Sequence, residues 1–197
     1  KIITTGEGGA ALTNCAEIDD KLKLLRSHGV TRDKSKMTNS TNNPWYYEQI
    51  DLGFNYRMTE LQAAVGLAQL TKLNFILKES KKRFLLIENK LKNKAKLRGI
   101  YKGSTPNYDT LIFKIDDVKK RSRIVEYLNL MGVGTKNLPD AIKWHFAFFW
   151  KHAVTKDQIK NTLISKKILE KYIAIPILLR KNVEFYKKIS SNLVKLI

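Results

Sequence analysis

Lys1-Ile2-Ile3-Thr4-Thr5-Gly6-Glu7-Gly8-Gly9-Ala10 is the stretch on which the reading of the fold turns. Its β-branched run at 2–5 and a second β-prone run at 10–13 flank a glycine-rich turn, a pattern that predicts two short buried strands. A lysine beside such a unit can act as an amine nucleophile, because burial favours the neutral form; a lysine with no such setting is simply solvated. The first residue is lysine, and the β-branched run follows at once. The sequence is therefore read as a piece whose upstream part is absent.

Moving outward, Asn14 and Cys15 precede a helical pattern from Ala16 to Ser27, with Ile18, Leu22 and Leu25 inward and Gly29 as a stop. Val30 to Asn43 shows no periodicity and reads as a long polar loop, of the kind that is functional or mobile. Pro44-Trp45-Tyr46-Tyr47 ends it abruptly. Thr59 and Gln62 form a capping box for a helix that carries Ala63, Ala64, Leu67 and Leu70 onward. Leu70, Leu73, Leu77, Phe84, Ile87 and Leu91 continue at three- and four-residue spacing as one apolar stripe. Beyond Arg98, Gly99–Asp109 reads as a turn-rich connector. It is followed by a strand at 110–115, a helix over Val118–Met131 stopped by Gly132, a short strand near Val133, a helical region around 156–172, a strand at 173–175 ended by Pro176, and a last helix from about Asn182. Alternation on this scale predicts a small α/β unit with its own sheet. A boundary is expected within 75–100, giving 1–75 and 76–197 as the two parts.

Composition narrows the class. The chain has 197 residues, of which 43% are hydrophobic, with 4 Pro and 10 Gly. That excludes disordered and collagen-like chains and predicts a real core. The single cysteine, Cys15, rules out an internal disulfide and is compatible with a reducing compartment, the cytoplasm. Lys and Arg number 37 against 18 Asp and Glu, a net charge of +19. Such a charge raises a nucleic-acid or anionic-membrane partner. Basic residues occur throughout, however, and the maximum at 78–98 falls on the polar face of an amphipathic helix, so a solvated surface is the simpler reading. Neither a nucleic acid nor a membrane is expected as a partner. The three histidines and one cysteine lack ligand spacing, so no metal is expected.

Lys1-Ile2-Ile3-Thr4-Thr5-Gly6-Glu7-Gly8-Gly9 resembles the signature of the DegT-type sugar aminotransferases, pyridoxal 5'-phosphate enzymes of fold-type I. Leu25-Arg26-Ser27-His28-Gly29, Leu52-Gly53-Phe54-Asn55-Tyr56-Arg57-Met58-Thr59-Glu60-Leu61-Gln62-Ala63-Ala64 and Gly66-Leu67-Ala68-Gln69-Leu70 follow in the family's order. Pro44-Trp45-Tyr46-Tyr47-Glu48 is most similar to the branch that makes 4-amino sugars for pseudaminic acid, whereas Leu138-Pro139 to Trp144-His145-Phe146 departs from it.

The resemblance implies an α/β chain, the C-terminal part of a fold-type I transferase: the end of the large domain plus a small α/β domain. It implies that Lys1 carries the cofactor, is displaced by the amino group of glutamate, and then moves a proton between substrate carbon and cofactor. A nucleotide-linked 4-keto-6-deoxy sugar would receive the amino group, for polysaccharide or glycan synthesis. Asn55 would reach the cofactor phosphate of a neighbouring subunit in a homodimer with a shared active site. Arg57, Tyr46 and His145 are candidates on the substrate side. His28 reads as a helix C-terminal cap, and Trp45, Tyr46 and Tyr47 as rings that line a sugar or nucleotide site or anchor the preceding loop. If the upstream half supplies the remaining cofactor contacts, the 197-residue piece alone is expected to be inactive. Two other readings stand beside this one. In a sugar 3-dehydratase of the same family a histidine would replace the cofactor lysine, which Lys1 opposes. The other is a basic nucleic-acid-binding or regulatory module that keeps the fold without the chemistry.

Overall fold

A strand persists only where a neighbouring segment pairs with its N–H and C=O groups. The computed structural model, which describes residues 2–39, 41–134 and 147–197, contains two such ladders. They belong to separate compact units, Ile3–Thr71 and one built on Lys72–Ile197.

In the first unit, α1 (Ala16–Leu25) leads into β1 (Val30–Thr31), which pairs antiparallel with β2 (Glu48–Gln49). The predicted loop is thus a long excursion between two very short strands. α2 (Glu60–Thr71) ends the unit. It is apolar on several sides, yet Leu61, Val65, Leu67 and Leu70 are all exposed and none of its residues is buried.

In the second unit, β3 (Lys96–Leu97), β4 (Thr110–Lys114) and β5 (Tyr172–Pro176) form an antiparallel sheet in that order, with Leu97 opposite Phe113 and Ile112 opposite Ala174. α3 (Leu73–Leu91), α4 (Val118–Leu130) and α7 (Val183–Leu196) supply helical partners for one core. Ile87, Leu91, Leu111, Phe113, Ile124, Leu128, Ile173, Ile175, Ile189 and Leu193 are fully buried there. Leu111 and Phe113 alternate with partly exposed neighbours, the period-two pattern of a strand with one core face. The starts of α4 and α7 are satisfied by side-chain caps. Asp117 accepts from Lys120 N at 2.9 Å, and Asn182 accepts from Phe185 N at 2.9 Å. Arg83 is almost buried, donating from Nη1 to Glu79 Oε2 at 2.6 Å and from Nε to the Lys181 carbonyl at 3.0 Å. It thereby ties α3 to the turn before α7. α5 (Lys156–Asn161) and α6 (Leu163–Leu169) precede β5.

Several expectations are corrected. Segments 2–5 and 10–13 form no strand, and Leu12 is 95% exposed, because no described segment lies alongside to pair with them. Ile18 is exposed, so of the three residues expected inward on α1 only Leu22 and Leu25 are half-buried, with Leu24 half-buried beside them. Val133 is not in a strand. Its N–H closes α4 by donating to the Leu128 carbonyl at 2.9 Å, and its side chain is buried. The helical region at 156–172 is two helices broken at Thr162, whose hydroxyl caps the Ile159 carbonyl at 2.7 Å. The long stripe through Leu70 and Leu73 is likewise interrupted at Lys72.

The division also sorts the charge. Residues 3–71 carry 7 basic and 8 acidic side chains, whereas residues 72–197 carry 29 basic and 10 acidic. The basic excess is therefore not spread over the chain: it lies on the second unit.

Candidate active site

The glycine-rich turn is held by its own threonines. Gly6 N donates to Thr4 Oγ1 at 3.1 Å, and Thr5 Oγ1 donates to the Glu7 carbonyl at 2.7 Å. Gly8, at φ +142°, has no room for a side chain: a Cβ would stand 2.6 Å from Thr5 Oγ1. The turn is seated on the first turns of α2. Gln62, whose carbonyl oxygen caps Thr59 N at 3.0 Å, uses its amide nitrogen to donate to the Glu7 carbonyl at 3.1 Å. Thr59 Oγ1 in return accepts from Gln62 N at 3.3 Å, completing the predicted capping box. The capping box thus also anchors the lysine motif. Lys1 and His145 lie outside the described residues.

The second construction is a crossing of the end of α1 over segment 50–57. Phe54 N donates to the Leu25 carbonyl at 2.9 Å, His28 N to Phe54 at 3.0 Å and Tyr56 N to Arg26 at 2.9 Å. Two glycines permit the approach. A Cβ on Gly53 would come within 2.3 Å of Gly29 N, and one on Gly29, whose φ is +70°, within 1.9 Å of the Asp51 carbonyl. His28, at φ +61°, takes part through its backbone, past the C-terminus of α1. Asp51 receives the Lys21 ammonium and the Leu52 N–H, and these hold its carboxyl below the usual aspartate range.

From this crossing the chain emerges extended, so Asn55 and Arg57 share one side while Phe54 and Tyr56 stack on the other, 5.2 Å between ring centres. Arg57 Nε donates to Asn55 Oδ1 at 3.0 Å. That bond orients the amide so that its NH2 end is the outward donor beside the remaining guanidinium N–H groups. The pair suits an anion such as a phosphate. The structure brings Asn55 and Arg57 together; Tyr46 is held elsewhere in the unit, with its hydroxyl donating to Glu48 Oε1 at 3.0 Å.

Glu48 closes the Pro44–Glu48 motif, which gave it no role of its own. Its carboxylate accepts from Thr38 N at 2.6 Å and Asn39 N at 2.8 Å as well as from Tyr46. The two main-chain donors hold its carboxyl below the ordinary glutamate value, the Tyr46 hydroxyl adding a smaller pull. Only a lone acid after an aromatic run, in a loop rich in neutral polar residues, could have signalled it. A hollow of about 900 Å³ in this unit lies along α1 and β1 between Ile18, Leu24, Arg32 and Lys36, and Asn55 is not among the residues that line it. Among the described residues no three His, Cys, Asp or Glu side chains converge as metal ligands, and no helix is long and apolar enough to cross a membrane.

An uncharacterised protein of Methanocaldococcus jannaschii is 34% identical over 143 residues, 68% of this chain and 36% of that protein. The UDP-4-amino-4,6-dideoxy-N-acetyl-beta-L-altrosamine transaminase of Campylobacter jejuni is 34% identical over 124 residues, 62% of this chain and 27% of the enzyme. The fold matches Helicobacter pylori PseC, an aminotransferase involved in the biosynthesis of pseudaminic acid. That match has a TM-score of 0.70 at 24% identity, and it covers all of this chain and 50% of the other. The chain thus spans half or less of the length of these relatives. The family model of the DegT/DnrJ/EryC1/StrS aminotransferases matches residues 1–193, and the chain belongs to that family.

Proposed function

We propose that the protein containing this chain transfers an amino group from glutamate to a nucleotide-linked keto-sugar, a 4-keto-6-deoxy sugar, with pyridoxal 5'-phosphate as cofactor. The product would serve cell-surface polysaccharide or glycan synthesis, and the reaction would run in the cytoplasm. The observation that carries this reading is the turn after Lys1, locked onto α2 by the Gln62–Glu7 bond and by a glycine that admits no side chain. Such a seat holds in one conformation the glycine-rich turn that follows Lys1 in the sequence. The name of the Campylobacter jejuni relative supports the substrate class.

The residues present suit the cofactor. Asn55 and Arg57 form a donor pair at an exposed edge, and the bond between them turns the amide NH2 outward, as a phosphate requires. When bound, pyridoxal phosphate supplies an electron sink for the electron pair released as the substrate C–H bond breaks. Lys1 Nζ would hold the cofactor and then carry the proton to and from the substrate carbon. Asn55 would serve a neighbouring subunit's site, Arg57 and His145 would meet the substrate, and Tyr46 would act on the substrate side through its bond to Glu48. The exposed apolar residues of α2 support an assembly that covers them, since a helix apolar on several sides belongs in an interior. In this arrangement residues 1–75 end the cofactor-binding domain, and 76–197 form a linking helix and small domain.

The test uses the full-length protein: its visible spectrum with pyridoxal phosphate, before and after borohydride reduction, beside Lys1→Ala. A yellow species that reduction fixes to the Lys1 peptide, and that the variant lacks, is the expected result. A protein that stays colourless overturns the reading. It would favour a basic binding module instead, for which the charge concentrated on residues 72–197 is the supporting observation.

A further inference from the structure

We infer that Glu48 is a positioning residue for the nucleotide part of the substrate, its carboxylate pinning Thr38, Asn39 and Tyr46 so that Trp45 and Tyr47 form a fixed platform for a flat base. The inference rests on the proposed aminotransferase reading and adds to it a residue that acts through others.

Glu48 is well placed as an anchor. It sits in β2 opposite Thr31, so the two ends of the excursion are already paired. Its Oε2 takes the Thr38 N–H at 2.6 Å and its Oε1 the Asn39 N–H at 2.8 Å, drawing the middle of the loop onto its base. The Tyr46 hydroxyl occupies Oε1 as well, at 3.0 Å, and fixes the ring between its two aromatic neighbours. Asn43 completes the turn, its Oδ1 accepting from Trp45 N at 3.0 Å and its carbonyl from Tyr46 N at 3.1 Å. The outcome is a sorted triplet. Tyr46 is half-buried and committed, whereas Trp45 is 78% and Tyr47 55% exposed. Rings held on an ordered backbone lose little freedom when a base stacks on them, so the ordering of the loop is itself a source of affinity. A planar base is the ligand chemistry that these two exposed rings fit.

The experiment compares full-length wild type, Glu48→Ala, Tyr46→Phe and Trp45→Ala. It measures UDP and GDP binding by calorimetry, and tryptic cleavage after Arg32, Lys34 and Lys36 in the loop. Glu48→Ala is expected to speed cleavage and weaken binding of the preferred nucleotide by about tenfold each, the scale of losing hydrogen bonds to a charged group. Its half-reaction with glutamate should stay at the wild-type rate. Trp45→Ala should weaken the nucleotide without changing cleavage. Should Glu48→Ala not fold, Tyr46→Phe must show both changes at about twofold, the scale of one hydrogen bond among three; their absence overturns the proposal. Faster cleavage with unchanged nucleotide affinity overturns it too, since the clamp would then be merely structural, and so does unchanged cleavage. A protein that never takes up pyridoxal phosphate, yet loses nucleotide affinity in Glu48→Ala, refutes the aminotransferase reading and supports the clamp.

Discussion

Glu48 shows how much one carboxylate can organise when the backbone supplies its partners. Its carboxyl titrates below the ordinary glutamate value of about 4.5 because the charged form accepts the Thr38 and Asn39 N–H groups. The sign follows from that direction. The contribution is fully present above the ordinary value and is lost as pH falls through the lower value of the folded protein. The amide resonances of Thr38 and Asn39 should therefore hold steady from neutrality down to about pH 4.5 and move together below it. Movement near neutral pH would contradict the clamp. None of this was legible in the sequence, because the partners lie nine and ten residues away in a loop with no periodicity. Thr59 and Gln62 were legible, since a capping box is written in residues three apart. Asn55 and Arg57 were named through resemblance alone. Their mutual bond depends on an extended backbone that composition does not announce.

At the level of elements, helices were read well and short strands badly, for one physical reason. A helix closes its hydrogen bonds within itself, so the starts expected at Val118 and about Asn182 fall within a residue of where the structure places them. A strand depends on a remote partner. Ile2–Thr5 has the right residues and no neighbour among those described, while Lys96–Leu97 and the two-residue pair Val30–Thr31 and Glu48–Gln49 are too short to show a pattern. Glycines marked the crossing of α1 over segment 50–57 as matched motifs, and the structure explains why both are needed. Gly53→Ala would force a methyl to within 2.3 Å of Gly29 N, in a place where backbone and not a flexible side chain must yield. The expected cost is about 3 kcal/mol, the upper range for overpacking, read as a lower midpoint in urea. Gly99→Ala, where nothing lies within 4 Å, is the control and should change the midpoint little.

Across the whole molecule, the sequence revealed a folded α/β chain with a second unit of its own, and the core of that unit is built from the predicted apolar positions Ile87 and Leu91 together with the strand at 173–175. It did not reveal that α2 would stand with its apolar residues exposed, because hydrophobicity says that a helix wants cover and not where the cover comes from. Nor did the overall charge show its allocation between the units. That allocation has a kinetic consequence. A unit with 29 cationic and 10 anionic side chains gathers a cloud of small anions. A polyvalent anion approaching it is drawn in from a distance set by the screening length, about 8 Å at physiological ionic strength. Stopped-flow capture of a multiply charged dye by the full-length protein should slow steeply between 20 and 200 mM salt, whereas a neutral analogue should be indifferent. Equal salt dependence for both would show that the lysines are neutralised elsewhere. With steep dependence, ionic strength would act as a throttle on every encounter with a phosphorylated molecule, before any specific contact forms.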